Sequence, residues 1–188
     1  MYQSDVSSTQ IIAQTRQWIE TVVIGYQFCP FARKVFDTQT IHYQVIDDQQ
    51  LEPCLQALIA QCQKLDNTNS IETTLIIYPQ GYTDFKHFLE LLALAEDLLV
   101  AQGHEGIYQL ASFHPQYQFA NTDIDEPANY TNRSPYPMLH LLREASLERA
   151  IADYPDVDAI PQRNIKHAEA LGVTKMAEAL ACCYTLRS

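Results

Sequence analysis

The chain reads as a single α/β domain, a small two-layer or three-layer sandwich whose helices pack a mainly parallel sheet of about three to four strands. Three observations predict this. Apolar residues switch between a spacing of two and a spacing of three to four, in the order strand, helix, strand, helix, strand. The connections are short, so each helix returns the chain to the same edge of the sheet as a right-handed crossover. The length of 188 residues suits one domain, since single domains commonly run to about 100–200 residues. A ferredoxin-like α+β arrangement is the alternative, formed if the connection around residues 30–40 holds a further strand.

The elements follow in order. "TQIIAQTRQWIETVVIGYQF", residues 9–28, places Ile11, Ile12, Thr15, Trp18, Ile19, Val22, Val23 and Tyr26 at spacings of three and four, the stripe of an amphipathic helix. "IHYQVI", 41–46, alternates as a strand does, and "QLEPCLQALIAQCQKL" follows with Leu51, Leu55, Leu58, Ile59 and Cys62 on one helical stripe. "ETTLIIYP", 72–79, has the continuous apolar centre of a strand buried on both faces. Thr83 can cap the next helix, which should end at Gly103 with a left-handed cap. "GIYQLASF" is the third strand. Residues 115–135 are then polar and proline-rich, and long loops of that kind in compact domains are often functional. A helix is expected from Pro135 to about Tyr154. The last helix opens at "IPQRN", with Pro161 in its first turn, and breaks at Gly172 before a short helical tail.

Composition narrows the function classes. The 12 Lys and Arg against 23 Asp and Glu give a net charge of −11, which disfavours nucleic acid and anionic membranes because those surfaces carry the same sign. No apolar run approaches the roughly 18 residues of a membrane span. The start "MYQSDVSSTQ" has neither the basic residues nor the apolar stretch of a signal peptide, so a cytoplasmic protein is expected. Five cysteines without a zinc or CxxC spacing make no disulfide framework and no metal set. P-loop, dinucleotide glycine, GxSxG and HExxH motifs are missing, and the pattern names no cofactor.

Chemistry is sought at strand ends and helix starts, where ligands of open α/β sheets bind. His114 stands at the end of the third strand, with Tyr117 and Phe119 able to wall a pocket. Its imidazole titrates near neutrality and can act as acid, base or ligand, or can simply tie down the loop. In "NYTNRSPYPMLHLLRE", Ser134 and Pro135 read as a helix N-cap and first turn, whose free N–H groups attract anions. Arg133 adds a forked donor for carboxylate or phosphate, and Asn129 and Asn132 add amides or merely turns. His140, Arg143 and Glu144 share one face of that expected helix. Arg163 and Asn164 can bring a second cation. Cys29, in "FCPFAR", resembles the Cys-Pro turn of a monothiol glutaredoxin, but Ala32 stands where a resolving cysteine would be, and a buried small hydrophobe is the alternative. A Cys-Pro pair can also ligate haem iron.

"WIETVVIGYQFCPFAR", "GIYQLASFHPQYQF", "DEPANYTNRSPYPMLHLLREASLERA" and "IPQRN" together resemble the bacterial family catalogued as domain of unknown function 1415, over most of residues 9–172. The family pattern has Leu-Asn-Leu where this chain has Tyr26, Gln27 and Phe28. The resemblance leaves residues 173–188 as a peripheral tail of the one domain, 1–188, and implies no activity.

The expectation is therefore a polar pocket formed by Cys29, Arg33, His114, Tyr117, Asn129, Asn132, Arg133 and His140, with Arg163 nearby, that binds a small anionic molecule or acts on it. Cys29, His114 and His140 are the candidate catalytic groups. The competing readings are a non-catalytic scaffold, in which the same residues hold the loop, and a monothiol redox, metal or haem protein built on Cys29.

Overall fold

The computed structural model describes residues 6–185. The N-terminal residues 1–5 and the last three of the "CCYTLRS" tail lie outside the described residues.

The first helix, α1 (Ser8–Trp18), starts because Ser7 is extended and its side chain accepts the Gln10 N–H at 3.3 Å, satisfying one donor of the open first turn. It buries Ile11, Thr15 and Trp18, four and three residues apart. It then widens into a π-helical turn, Ile19–Ile24, in which Gly25 N–H reaches back five residues to Glu20 O at 3.0 Å. Only glycine fits at that end of the turn, since a Cβ on Gly25 would lie 2.2 Å from Thr21 O.

The connection over residues 30–40 holds a short helix, α2 (Ala32–Asp37), and no strand, so the ferredoxin-like alternative does not form. Then come β1 (Ile41–Val45), α3 (Leu51–Asn67), β2 (Thr73–Ile77) and α4 (Phe85–Ala101). The cap of α4 is Asp84 and not Thr83: the Asp84 carboxylate accepts His87 N–H at 2.9 Å. Gly103, at φ 77°, ends that helix in the left-handed conformation expected of it. After β3 (Tyr108–Phe113) the long loop carries one 3-10 turn, Pro127–Thr131.

Two expectations are overturned here. The segment read as a helix from Pro135 is a strand, β4 (Met138–Arg143), and a helix, α5 (Glu144–Ala152), begins only after it. A strand covered on both faces has no polar alternation to reveal it, so "MLHLLR" resembles a helical stripe as readily as a buried strand. The sheet is also not mainly parallel. Its order is β1-β2-β4-β3, only β1 and β2 pair in parallel, and β4 runs antiparallel between β2 and β3. The chain closes with a 3-10 turn (Val157–Ala159), α6 (Ile160–Leu171) and α7 (Val173–Cys182).

Alternate residues of β4 feed two cores. Leu139 and Leu141 join Leu58, Phe88, Leu91 and Tyr78 under α3 and α4. Met138 joins Trp18, Val22, Ile77 and Phe28 under α1 and its π turn. Helices thus cover both faces. Truncating Leu139, fully buried, to Ala would cost about 2–5 kcal/mol. The segment after Gly172 contributes to the second core, where Met176 and Cys183 are buried.

Candidate functional site

The expected site residues fall in three places. Cys29, Arg33 and Arg163 come together. The π turn ends at Gly25, Gln27 takes a left-handed conformation at φ 57°, and the chain doubles back so that Phe28 N–H bonds Val23 O at 2.9 Å. This reversal aims Gln27 outward and buries Phe28. The Asn164 side-chain amide, from the first turns of α6, donates to Phe28 O at 2.6 Å and pins α6 against the reversal. Two adjoining cavities result. One, of about 280 Å³, is lined by Ile24, Gln27, Cys29, Pro30, Arg33, Tyr154 and Arg163. The other, of about 220 Å³, is lined by Gly25, Tyr26, Gln27, Arg163, Asn164 and His167. Gln27 and Arg163 belong to both, so the pair forms one two-lobed groove.

Charge in the groove comes from the two guanidinium groups. Arg163 Nη1 donates to Tyr154 Oη at 2.9 Å, which steadies the side chain without neutralising it. Arg33 is exposed at the rim. The Cys29 thiol is half-buried, and burial pushes its pKa up more than the Phe31 and Ala32 backbone N–H groups pull it down. It is a neutral thiol at neutral pH, not the resident thiolate of a redox nucleophile.

His114, Tyr117, Asn129, Asn132 and Arg133 form a separate knot that holds the long loop to β3. His114 is fully buried between Phe85 and Phe88, with ring centroids at 5.1 Å to each. Its Nδ1 accepts Gln116 N–H at 2.9 Å and its Nε2 lies 2.9 Å from Tyr82 O, so Nε2 carries the proton. Burial lowers its pKa, more strongly than the Tyr82 carbonyl and Asp84 raise it. Asn129, also fully buried, accepts from Phe119 N–H and Thr122 Oγ1 and donates to the Asp123 and Ile124 carbonyls. Asn132 donates to Ser112 O at 3.3 Å and its carbonyl accepts His114 N–H. Arg133 donates to Tyr117 O at 3.2 Å and Ile124 O at 2.7 Å and lies 4.2 Å over the Tyr130 ring. Its own carbonyl accepts Trp18 Nε1 at 2.9 Å. Ser134 caps no helix; it is buried, and its hydroxyl donates to Tyr136 O. The N–H donors of a helix start expected there do not exist.

His140 stands apart on β4, facing the second core beside Phe113. Its Nε2 lies 2.7 Å from Thr73 Oγ1, whose hydroxyl donates to Leu141 O, so the imidazole donates to the threonine. The residue as a whole is partly accessible, yet its imidazole is packed so deeply that burial lowers its pKa to about 4. Cys29, His114 and His140 share no site, and among the described residues no group of three or more His, Cys, Asp or Glu is placed to hold a metal ion.

Tyr26, Tyr154 and His167 line the groove and carry no signal as site residues in the sequence. A helical reading of α6 contains part of the missing signal, because Arg163, Asn164 and His167 sit at i, i+1 and i+4 on adjoining faces of its first turns. Gln27 has a faint one, as an amide just before Cys29 where the family pattern has Asn, but its place in the groove depends on the left-handed turn.

The molecule is thus a mixed α/β sandwich with a groove lined by Arg33 and Arg163 between the end of its first helix and α6, and a self-satisfied polar knot elsewhere. The model of the family described as protein of unknown function (DUF1415) matches residues 10–178, and the chain belongs to that family. No curated protein and no solved structure matches it. Among the described residues no helix is long and apolar enough to cross a membrane.

Proposed function

We propose that this protein binds a small anionic molecule in the two-lobed groove between the Gly25–Pro30 reversal and α6. The observation that carries the reading is that Arg33 and Arg163, from distant parts of the chain, line one cavity together with a neutral thiol, Cys29. In a chain of net charge −11, two cations converging on a concave surface make a local field that selects anions against the long-range repulsion. The planar guanidinium of Arg163, held by Tyr154, presents a fork suited to carboxylate or phosphate. Gln27 and Asn164 supply neutral polar edges. His114 and His140 are left out of the reading, because their Nε2 atoms are held by Tyr82 and Thr73 inside the protein.

The test is a thermal-shift and calorimetric screen of inorganic phosphate, phosphorylated metabolites and carboxylates against the wild type, Arg163→Gln and Arg33→Gln. Both substitutions are at exposed positions and should leave stability within about 0.5 kcal/mol. The expected result is stabilisation of the wild type by an anion and loss of that response in Arg163→Gln. A wild type indifferent to every anion, or variants that respond as the wild type does, would overturn the reading.

A further inference from the structure

We infer that the groove is built for a bifunctional ligand, a small hydroxylated monophosphate of the sugar phosphate class, whose phosphate lies in the lobe of Arg33 and whose hydroxyls lie in the lobe of His167. The inference rests on the anion reading above and goes beyond it by assigning the two lobes different chemistry.

The asymmetry is in the lining. The larger lobe has Arg33, Arg163, the Tyr154 hydroxyl and the Cys29 thiol, a set of donors around a cationic centre. That matches a dianionic phosphate, which accepts on three oxygens. The smaller lobe has Gly25, Tyr26, Gln27, Asn164 and His167 beside the shared Arg163. Beyond Arg163 its polar groups are two amides and an imidazole, since the carbonyls of Val22, Val23 and Ile24 at the end of the π turn already accept the N–H groups of Tyr26, Phe28 and Gln27. One Asn164 N–H is committed to Phe28 O. The amide oxygens of Asn164 and Gln27 are acceptors that donors on the ligand can meet. A second phosphate or carboxylate would find no guanidinium there besides the shared Arg163. An ammonium would sit against Arg163. Hydroxyl groups suit both, since each donates and accepts, and the Tyr26 ring offers the apolar face against which sugar C–H groups pack.

Size points the same way. The lobes, of about 280 and 220 Å³, together fall in the range of small-molecule pockets, which hold far more than one inorganic anion. An ion bound by Arg33 and Arg163 alone would leave the smaller lobe filled with water.

The experiment compares inorganic phosphate, a panel of triose, pentose and hexose phosphates, and the matching unphosphorylated sugars by titration calorimetry. The variants are Gln27→Gly, His167→Ala and Arg163→Gln. Gln27→Gly removes the amide while relieving a left-handed residue, and so keeps the fold intact. The expected result is that at least one sugar phosphate binds roughly tenfold or more tighter than inorganic phosphate, a factor equal to about 1.4 kcal/mol. His167→Ala, at a residue of the smaller lobe alone, should abolish that advantage and leave phosphate binding unchanged; Gln27→Gly, at a residue that lines both lobes, should cut the advantage, and Arg163→Gln should lose both. Equal binding of inorganic phosphate and every sugar phosphate, or an advantage that survives His167→Ala, overturns the bifunctional assignment and leaves the anion reading standing. Failure of phosphate and all its esters to bind overturns the sugar phosphate assignment, and failure of the carboxylates as well overturns the anion reading.

Discussion

His114 holds Tyr82 in place. Tyr82 is a buried tyrosine in the left-handed region, φ 59°, and its carbonyl takes the His114 Nε2 hydrogen bond at 2.9 Å. A bulky residue there costs about 1–2 kcal/mol, which the surrounding contacts must offset. His114→Ala would free Tyr82 O and Gln116 N–H inside the protein and leave a void between Phe85 and Phe88. We expect a loss of about 2–4 kcal/mol in urea denaturation. The anion response should persist in the folded variant, because none of these groups lines the groove. Undiminished stability with a lost anion response would instead make His114 a ligand.

His140 should make the protein acid-sensitive. Its pKa is about 4 in the fold, against about 6.5 in an unfolded chain. Between those values the unfolded chain binds more protons, so acid favours unfolding. The contribution is fully present above about pH 6.5, is lost as the pH falls toward 4, and stays flat below. It amounts to about 3 kcal/mol over that window. His114, whose pKa is also lowered by burial, adds slope of the same sign. Urea titrations between pH 7.5 and 4 should therefore show a shallower acid loss for His140→Leu than for the wild type. Parallel curves would refute this account of His140.

Arg133 is the keystone of the loop. It is 9% exposed, bonds two carbonyls and covers the Tyr130 ring. Arg133→Ala should cost about 3 kcal/mol from the lost hydrogen bonds, the cation–π contact and the packing of the side-chain stem. Arg133→Lys should recover only part, since a single ammonium cannot reproduce a fork that spans Tyr117 O and Ile124 O. Proteolysis between residues 117 and 126, followed by mass spectrometry, reads the same change locally. Anion binding is expected to survive in both variants.

The helices of residues 8–24, 51–67, 85–101 and 160–171 and the first three strands were legible because each has one polar face, or a plain apolar run between turn residues. β4 was not, because a strand in the middle of a sheet, buried on both sides, loses the alternation that marks a strand. That single misreading also placed His140 on a helix with Arg143 and turned Ser134 into a cap. The polar density of "NYTNRSPYPMLH" was legible, but density does not distinguish polar atoms that face a ligand from atoms that satisfy one another. Asn129, with four partners inside the loop, shows the second case. Cys29, Arg33 and Arg163 are expected in one pocket from the sequence, but their separation from His114, Arg133 and His140 was out of reach, since it depends on the π turn and on Gln27 reversing the chain toward α6.

Cys29 gives the last prediction, which separates a groove wall from a redox centre. Burial raises its pKa, so little thiolate exists at pH 7, and the thiolate is the form that alkylates. Cys182 is exposed and serves as the internal reference, while Cys54, Cys62 and Cys183 are buried. Timed iodoacetamide labelling read out by peptide mass spectrometry should find Cys29 modified more slowly than Cys182 at pH 7, with its rate still climbing above pH 9. Phosphate or a phosphate ester in the groove should slow it further by covering the thiol, and Arg163→Gln should remove that protection. Cys29 labelling faster than Cys182 at pH 7 would show an activated thiolate and favour the monothiol redox reading.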